Sequence, residues 1–473
     1  MSNTSGPKAT PREWVGLAVI ALPCLLYSMD LTVLNLAVPA LTADLRPSSV
    51  QLLWIIDIYG FLVAGALITM GTLGDRIGRR RLLLIGAAVF GIASVLAAFS
   101  TSAEMLIAMR AVLGIAGATL APSTLSLIRN MFHDPQERTV AISVWITSYS
   151  VGAAIGPLLG GALLEYFWWG SVFLLAVPVM ALLLAVGPAL LPEYRDPRAG
   201  ALHVPSAVLS LAAVLALIFG LKLAAQDGMG WLPTLFIAGG MVFAVLFVHM
   251  QNALDDPLID LRMFRVRAFS AALGIYMFAT FVAFGIFVFM IQYLQVVIGM
   301  SPLVAGLWTV PFALGFVVGS IVSPRLVRSV QPATVMTGGL VLAAAGYLLL
   351  TQVGSTSGPL VLVAGMVLQS LGLAPVFTLT NDLVIGAAPP ERAGAAAGIS
   401  ETASELGGAL GIALLGSLAT AVYGSAFARE TLPQALELIA AICAVISIAM
   451  AILIAAVLRR PGTAAESARA TGH

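Results

Sequence analysis

Polar breaks divide the chain into fourteen apolar runs, at about 15–41, 50–70, 82–100, 104–128, 139–164, 168–191, 202–224, 231–250, 268–293, 303–323, 334–352, 359–380, 393–423 and 434–458. A helix crossing the hydrocarbon of a bilayer takes about 20 mostly apolar residues, and the runs match that length. The pattern predicts an all-α polytopic membrane protein with 14 transmembrane helices. The count rests on the short separations near residues 101 and 166, where one fusion would make it odd and move the C-terminus to the other side. The first fifteen residues are polar, and the run behind them lacks a small-residue cleavage site, so it reads as a retained span and not a removable signal. The last fifteen are polar and read as a disordered tail.

Composition narrows the classes. Of 473 residues, 60% are apolar and 10% charged, with a mean hydropathy of +1.02. A soluble domain carries roughly 25% charged residues, which excludes a soluble enzyme, a nucleic-acid binder and a disordered chain. The net charge of +1 conceals a sorting by side. With the N-terminus inside, 19 of the 23 Lys and Arg fall in cytoplasmic segments, Arg46 and Arg429 lie outside, and Arg110 and Lys222 lie within spans. Such asymmetry is the positive-inside rule. It places both termini in the cytoplasm and the chain in the cytoplasmic membrane. Trp54, Trp168, Trp169, Trp231 and Trp308 fall near outer ends, as interface anchors do, and Lys222 is expected to snorkel to the headgroups. Cys24 and Cys443 lie in apolar runs and make no disulfide framework.

A charge at the bilayer centre costs at least ~2.5–3.5 kcal/mol, so intramembrane ionisable groups are informative. The set is Asp30, Asp57, Arg110, Lys222, Glu401 and Glu405. Burial disfavours the charged form of a carboxylate, so Asp30, near the middle of span 1, is suited to load and release a proton. The other reading is a permanent pair with Arg110 that locks two helices. Arginine does not deprotonate, so Arg110 is not the carrier. Asp57 either helps proton entry or contacts a cationic substrate, the plainer alternative being a residue that faces interfacial water. Asp382, near an inner end, is expected to be wetted. Glu401 and Glu405, spaced i,i+4, share one helix face with Gly394, Gly398 and Gly408. Two close carboxylates resist joint ionisation, which suits them to bind a cation, a proton, or each in turn. The plainer alternative is the wall of a water-filled cavity. Span 9 carries Tyr276, Phe278, Phe281, Phe284, Phe287 and Phe289, whose faces attract cations, although phenylalanine is equally ordinary facing lipid.

Several stretches carry a resemblance. The loop after span 2 reads Gly71-Thr-Leu-Gly-Asp75-Arg76-Ile-Gly78-Arg79-Arg80-Arg81, and span 4 holds Arg110-Ala-Val-Leu-Gly114. Span 5 holds Gly152-Ala-Ala-Ile-Gly156-Pro157-Leu-Leu-Gly160-Gly161, where small residues permit close crossing and proline bends the helix. Span 1 holds Met29-Asp30-Leu-Thr32-Val-Leu-Asn35, span 2 Trp54-Ile-Ile-Asp57-Ile-Tyr59, and span 13 Ser400-Glu401-Thr402-Ala-Ser-Glu405. Together these resemble the major facilitator superfamily, and within it the fourteen-span drug:proton antiporters of the QacA, SmvA and LfrA type.

The resemblance implies an N-terminal six-helix bundle (1–192), two inserted helices (193–260), a C-terminal six-helix bundle (261–460) and a cytoplasmic tail (461–473). It implies a secondary active transporter, not an enzyme: a proton-coupled antiporter exporting lipophilic cationic drugs, quaternary ammonium compounds and dyes. Asp30, Arg110 and Glu401 would couple protons. Asp57, Glu401, Glu405, Asn35, Tyr59, Phe281 and Phe284 would bind substrate. Gly71, Asp75, Arg76, Gly78, Arg79 and Arg80, with Gly152, Gly156, Pro157, Gly160 and Gly161, would serve gating. Partners would be cations, protons and lipid, with no cofactor, metal or nucleic acid, in a monomer. The alternatives are an exporter of one endogenous metabolite or antibiotic, and a polytopic membrane enzyme. For the last, no phosphate loop or metal-ligand cluster appears, and His133, His203, His249 and His473 are scattered. Two departures stand out. The segment between spans 13 and 14 is short, at about 424–433, and no acid lies between Asp260 and Asp382.

Overall fold

A computed structural model describes residues 7–195, 202–254, 257–300, 302–354, 359–423 and 431–457. Within them the chain is helical, without a strand. In chain order the long helices are α1 (Pro11–Leu45), α2 (Ser49–Ile77), α3 (Arg79–Ala98), α4 (Ala103–Gly117, resumed as Leu120–Met131) and α5 (Pro135–Tyr166). Next come α6 (Ser171–Leu174, resumed as Ala176–Leu190), α7 (Val204–Asp227), α8 (Trp231–Ala253) and α9 (Arg267–Gln292, ending in a π-turn at Tyr293–Val297). The last are α10 (Pro302–Trp308, resumed as Val310–Leu326), α11 (Pro332–Leu350), α12 (Pro359–Ala387), α13 (Ala393–Tyr423) and α14 (Leu432–Val457). Thirteen helices among the described residues have the length and apolar character to cross a membrane. The expected run 139–164 is helical throughout in α5, 32 residues long, but is not one of those thirteen. The expected tail, 461–473, lies outside the described residues.

Local chemistry sets the ends and breaks. Thr10 and Ser48 form capping boxes with Glu13 and Gln51, and Asp134 accepts from the amides of Gln136 and Glu137. The break in α4 at residues 118–119 seats Thr119 against α3 at Gly86, where a β-carbon would collide with its side chain. Gly78, at φ +113°, ends α2. A β-carbon there would lie 2.7 Å from Glu193 Oε1, and Glu193 accepts from the amides of Arg80 and Arg81, capping α3.

Two apolar cores organise the molecule. One gathers α1–α6, the other α9–α14. The first also takes in Val384, Ile385, Ala396 and Ala397 from α12 and α13, so the halves share packing at the ends near the arginine-rich loop. The hairpin α7–α8 packs on α2 and α13 through α7. A small cluster of Phe61, Ala64, Val214 and Ile218, backed by Leu406 and Ala409, marks that junction. Trp54, Trp168 and Trp231 are exposed, in keeping with anchoring. Trp169 is not: it is buried, and its Nε1 donates to Asp44 Oδ2 at 2.7 Å, because an indole N–H away from water needs an acceptor.

Candidate functional site

Asp30 and Arg110 meet within the first half. Arg110 Nη1 lies 2.5 Å from Asp30 Oδ2, with the arginine side chain 1% and the aspartate 16% exposed. Arg110 Nε donates to the Ile55 carbonyl at 3.1 Å, and its guanidinium stacks 4.7 Å from the Tyr59 ring centroid. The fork therefore has one charged and one neutral acceptor in fixed directions, a geometry lysine does not reproduce. A small pocket adjoins Asp30, lined among others by Met29, Phe90, Ser94 and Phe173.

A second acidic centre lies between the halves, on α13. Glu401 Oε1 is buried and has no hydrogen-bond partner among the described residues. Tyr276 of α9 adjoins that carboxylate. One turn on, Glu405 Oε1 accepts from the Tyr27 hydroxyl of α1 at 3.4 Å. Tyr27 packs against Tyr59 of α2 and Tyr149 of α5, at centroid distances of 6.0 and 5.7 Å, and Trp145 abuts Tyr149 at 4.8 Å. The Tyr59 hydroxyl is buried without a hydrogen-bond partner among the described residues. Two acids thus face aromatic rings from both halves. Such a cradle attracts a desolvated organic cation by charge and by ring quadrupoles. Phe281 and Phe284 sit further along α9. Phe281 backs onto Gly411, and half-exposed Phe284 lies over Gly408.

Asp57 does not stand free: its partner is Lys222, whose side chain is 41% exposed. Lys222 Nζ lies 2.6 Å from Asp57 Oδ1 and 4.6 Å from the Phe61 ring centroid. A lysine ammonium is held at once by a carboxylate and by the face of an aromatic ring.

At the arginine-rich ends the halves are clasped. Asp75 is buried, pairs with Arg79 at 2.8 Å, and accepts from the amides of Gly394 and Ala395, both at 2.9 Å. It thereby caps the N-terminus of α13 from the opposite half. Gly71 and Gly394 let the two backbones touch. Arg79 Nη2 donates to the Pro390 carbonyl at 2.6 Å, whereas Arg80 serves its own half through Pro188, Leu191 and Glu193. Arg76 lies in the last turn of α2. Asp382, expected to be wetted, is bound across the halves by Arg138 Nε and Thr139 Oγ1, each at 2.6 Å.

The glycines of α5 differ in role. Gly152 lies against Leu25 and Ser28 of α1, and Gly160 against Val33. Gly156 is buried. A β-carbon on Gly161 would meet nothing within 4 Å among the described residues, so close crossing by them does not account for it. The side chains of Asn35 and Pro157 lie outside the described residues. Sequence reading missed Tyr27, Trp145, Tyr149 and the Arg138–Asp382 clasp. The available signal was the polar aromatics in mid-span, where lipid-facing helices favour aliphatics.

A helical chain of membrane-length segments, with two halves closing around intramembrane acids, is a polytopic membrane transporter. The Major Facilitator Superfamily model matches residues 20–259 and 270–473, and the chain belongs to that family. It is 43% identical over 426 residues to the multidrug efflux pump LfrA of Mycolicibacterium smegmatis, covering 90% of this chain and 84% of that protein. It is 36% identical over 427 residues to the methyl viologen resistance protein SmvA of Salmonella typhimurium, covering 90% and 86%. Among solved structures, the human organic anion transporter MFSD10 superposes with a TM-score of 0.65 over 94% of this chain and all of that one. At 19% identity this likeness concerns the fold alone.

Proposed function

We propose that this protein is a proton-coupled antiporter that exports lipophilic cations, quaternary ammonium compounds and dyes among them, across the cytoplasmic membrane. Both termini would lie in the cytoplasm, with fourteen spans arranged as two six-helix bundles and α7–α8 inserted between them. The observation that carries the reading is the pair Glu401 and Glu405, set between the halves and ringed by Tyr27, Tyr59, Tyr149 and Tyr276. Relatives named as a multidrug efflux pump and a methyl viologen resistance protein support it.

The chemistry is exchange at shared carboxylates. Ionised, Glu401 and Glu405 hold a cation against the tyrosine faces. Protonated, they lose the attraction and the cation leaves. Asp30 takes up the proton in the first half, and Arg110 holds it as an ion pair when it is ionised. Rocking of the halves opens the clasp of Asp75 on α13 and of Arg138 on Asp382, exposing the cavity to the cytoplasm. Reconstituted in liposomes, the protein should accumulate a cationic dye against its gradient when a pH gradient is imposed, and Asp30→Asn should lose that accumulation. Undiminished uphill transport by Asp30→Asn removes Asp30 from coupling. Dye movement indifferent to the gradient refutes the antiport.

A further inference from the structure

The inserted hairpin brings a cation of its own to the cavity. Lys222 lies in the last turns of α7, the helix wedged between α2 and α13. Its ammonium sits on Asp57 at 2.6 Å and over Phe61 at 4.6 Å. The Phe219 ring, one turn back on α7, stacks on Trp54 at 6.3 Å and meets Phe61 edge-on at 5.9 Å, so the ring that carries the ammonium belongs to a cluster of three. On the opposite side, Leu406 and Ala409 of α13 pack against the cluster that Val214 and Ile218 form with Phe61 and Ala64, and Ser417 Oγ donates to the Ala224 carbonyl. Lys222 thus lies on the stretch of α7 that runs along α13 between the contacts at Leu406–Ala409 and at Ser417, and its partner Asp57 stands two residues before Tyr59, which packs on the Tyr27 that bonds Glu405. The lysine side chain is 41% exposed, so it is held by the carboxylate and not by packing. A lysine over an aromatic face, paired with an acid, is what an organic cation would become in the same place.

We propose that Lys222 is a resident counter-cation of the substrate cavity, cancelling Asp57 and thereby setting how much positive charge the cargo brings. The inference rests on the cation-export reading. With the lysine in place, Asp57 and Lys222 sum to zero and cargo meets only the two glutamates. Without it, Asp57 becomes a third negative group, and a dication gains more than a monocation. One added unit charge roughly 10 Å from the cargo, at an effective dielectric constant of about 20, changes relative affinity by about tenfold.

The test is equilibrium binding to the purified full chain, using tetraphenylphosphonium as monocation and decamethonium as dication. Lys222→Gln should raise the preference for decamethonium about tenfold. Lys222→Arg should keep the parental ratio, and Asp57→Asn/Lys222→Gln should restore it. The double variant also serves if Lys222→Gln alone does not fold, since it leaves no unpaired charge: its ratio should match that of the parent. An equal change in affinity for both probes in Lys222→Gln, or a double variant whose ratio departs from the parental one, overturns the proposal and leaves Lys222 a structural tie. Failure of the parent protein to bind either cation instead overturns the export reading, and this inference with it.

Discussion

Replacing Asp75 by asparagine is a direct test of how the halves are held together. Asp75 makes two kinds of contact: an ion pair with Arg79 inside its own half, and two bonds from the Gly394 and Ala395 amides at the start of α13. The first persists whichever way the halves tilt, so only the second weights the conformational equilibrium. Asparagine keeps one carbonyl oxygen and can accept from one amide, now without charge. The other amide loses its acceptor in a buried site. A charge-assisted hydrogen bond is worth ~1.5–3 kcal/mol, and weakening the second adds to this, so the clasped arrangement should lose ~2–4 kcal/mol. At about 2.7 kcal/mol the ratio of clasped to open molecules falls ~100-fold, taking a 99:1 mixture to near parity. Spin labels on cysteines replacing the exposed Arg81 and Arg328, one in each half, report the distance by double electron–electron resonance; the native cysteines are buried. A second, longer distance population should appear in Asp75→Asn. An unchanged distribution in a protein that remains folded refutes the assignment of Asp75 to the clasp.

Three further outcomes follow from the same contacts. Gly152→Leu should lower the thermal midpoint by several degrees and abolish transport, because its side chain would enter the Leu25 backbone and Ser28; Gly161→Leu, with open space around it, should leave both unchanged. Glu401→Gln should raise the thermal midpoint while abolishing transport, since an unpartnered buried carboxylate oxygen costs stability that only function requires; a lower midpoint would show that the carboxylate is paired. Asp30→Asn should cost ~3–5 kcal/mol by stranding Arg110, and Asp30→Asn/Arg110→Gln should recover much of it, read by chemical unfolding as a double-mutant cycle; additive losses would mean the two groups do not interact.

The membrane class was legible because span length is a property of consecutive residues. So were the acids, since an ionisable side chain in an apolar run stands out without knowledge of its neighbours, and the Asp75 loop, whose glycines and arginines are contiguous. What was not legible lay across distance. Asp57 finds Lys222 from a helix 165 positions on, and Asp382 finds Arg138 from 244 positions back. Neither pairing is visible along the chain, because each partner comes from another helix: Asp382 reads as wetted, and Asp57 as a group for protons, cationic substrate or interfacial water. The tyrosine ring was legible only in part for the same reason: Tyr59 and Tyr276 stand out in their motif and aromatic span, whereas Tyr27 and Tyr149 are ordinary residues until packing brings their faces to Tyr59 and to each other. Trp169 read as an interfacial anchor until Asp44 supplied its acceptor.

Protons released on cation binding test the central claim most directly. Purified protein in weakly buffered detergent solution, slightly below neutral pH, is titrated with tetraphenylphosphonium while the pH is followed with a dye. If cargo and proton share Glu401 and Glu405, binding acidifies the solution in proportion to occupancy, and Glu401→Gln/Glu405→Gln neither binds nor acidifies. Saturable binding with no proton released would contradict the account.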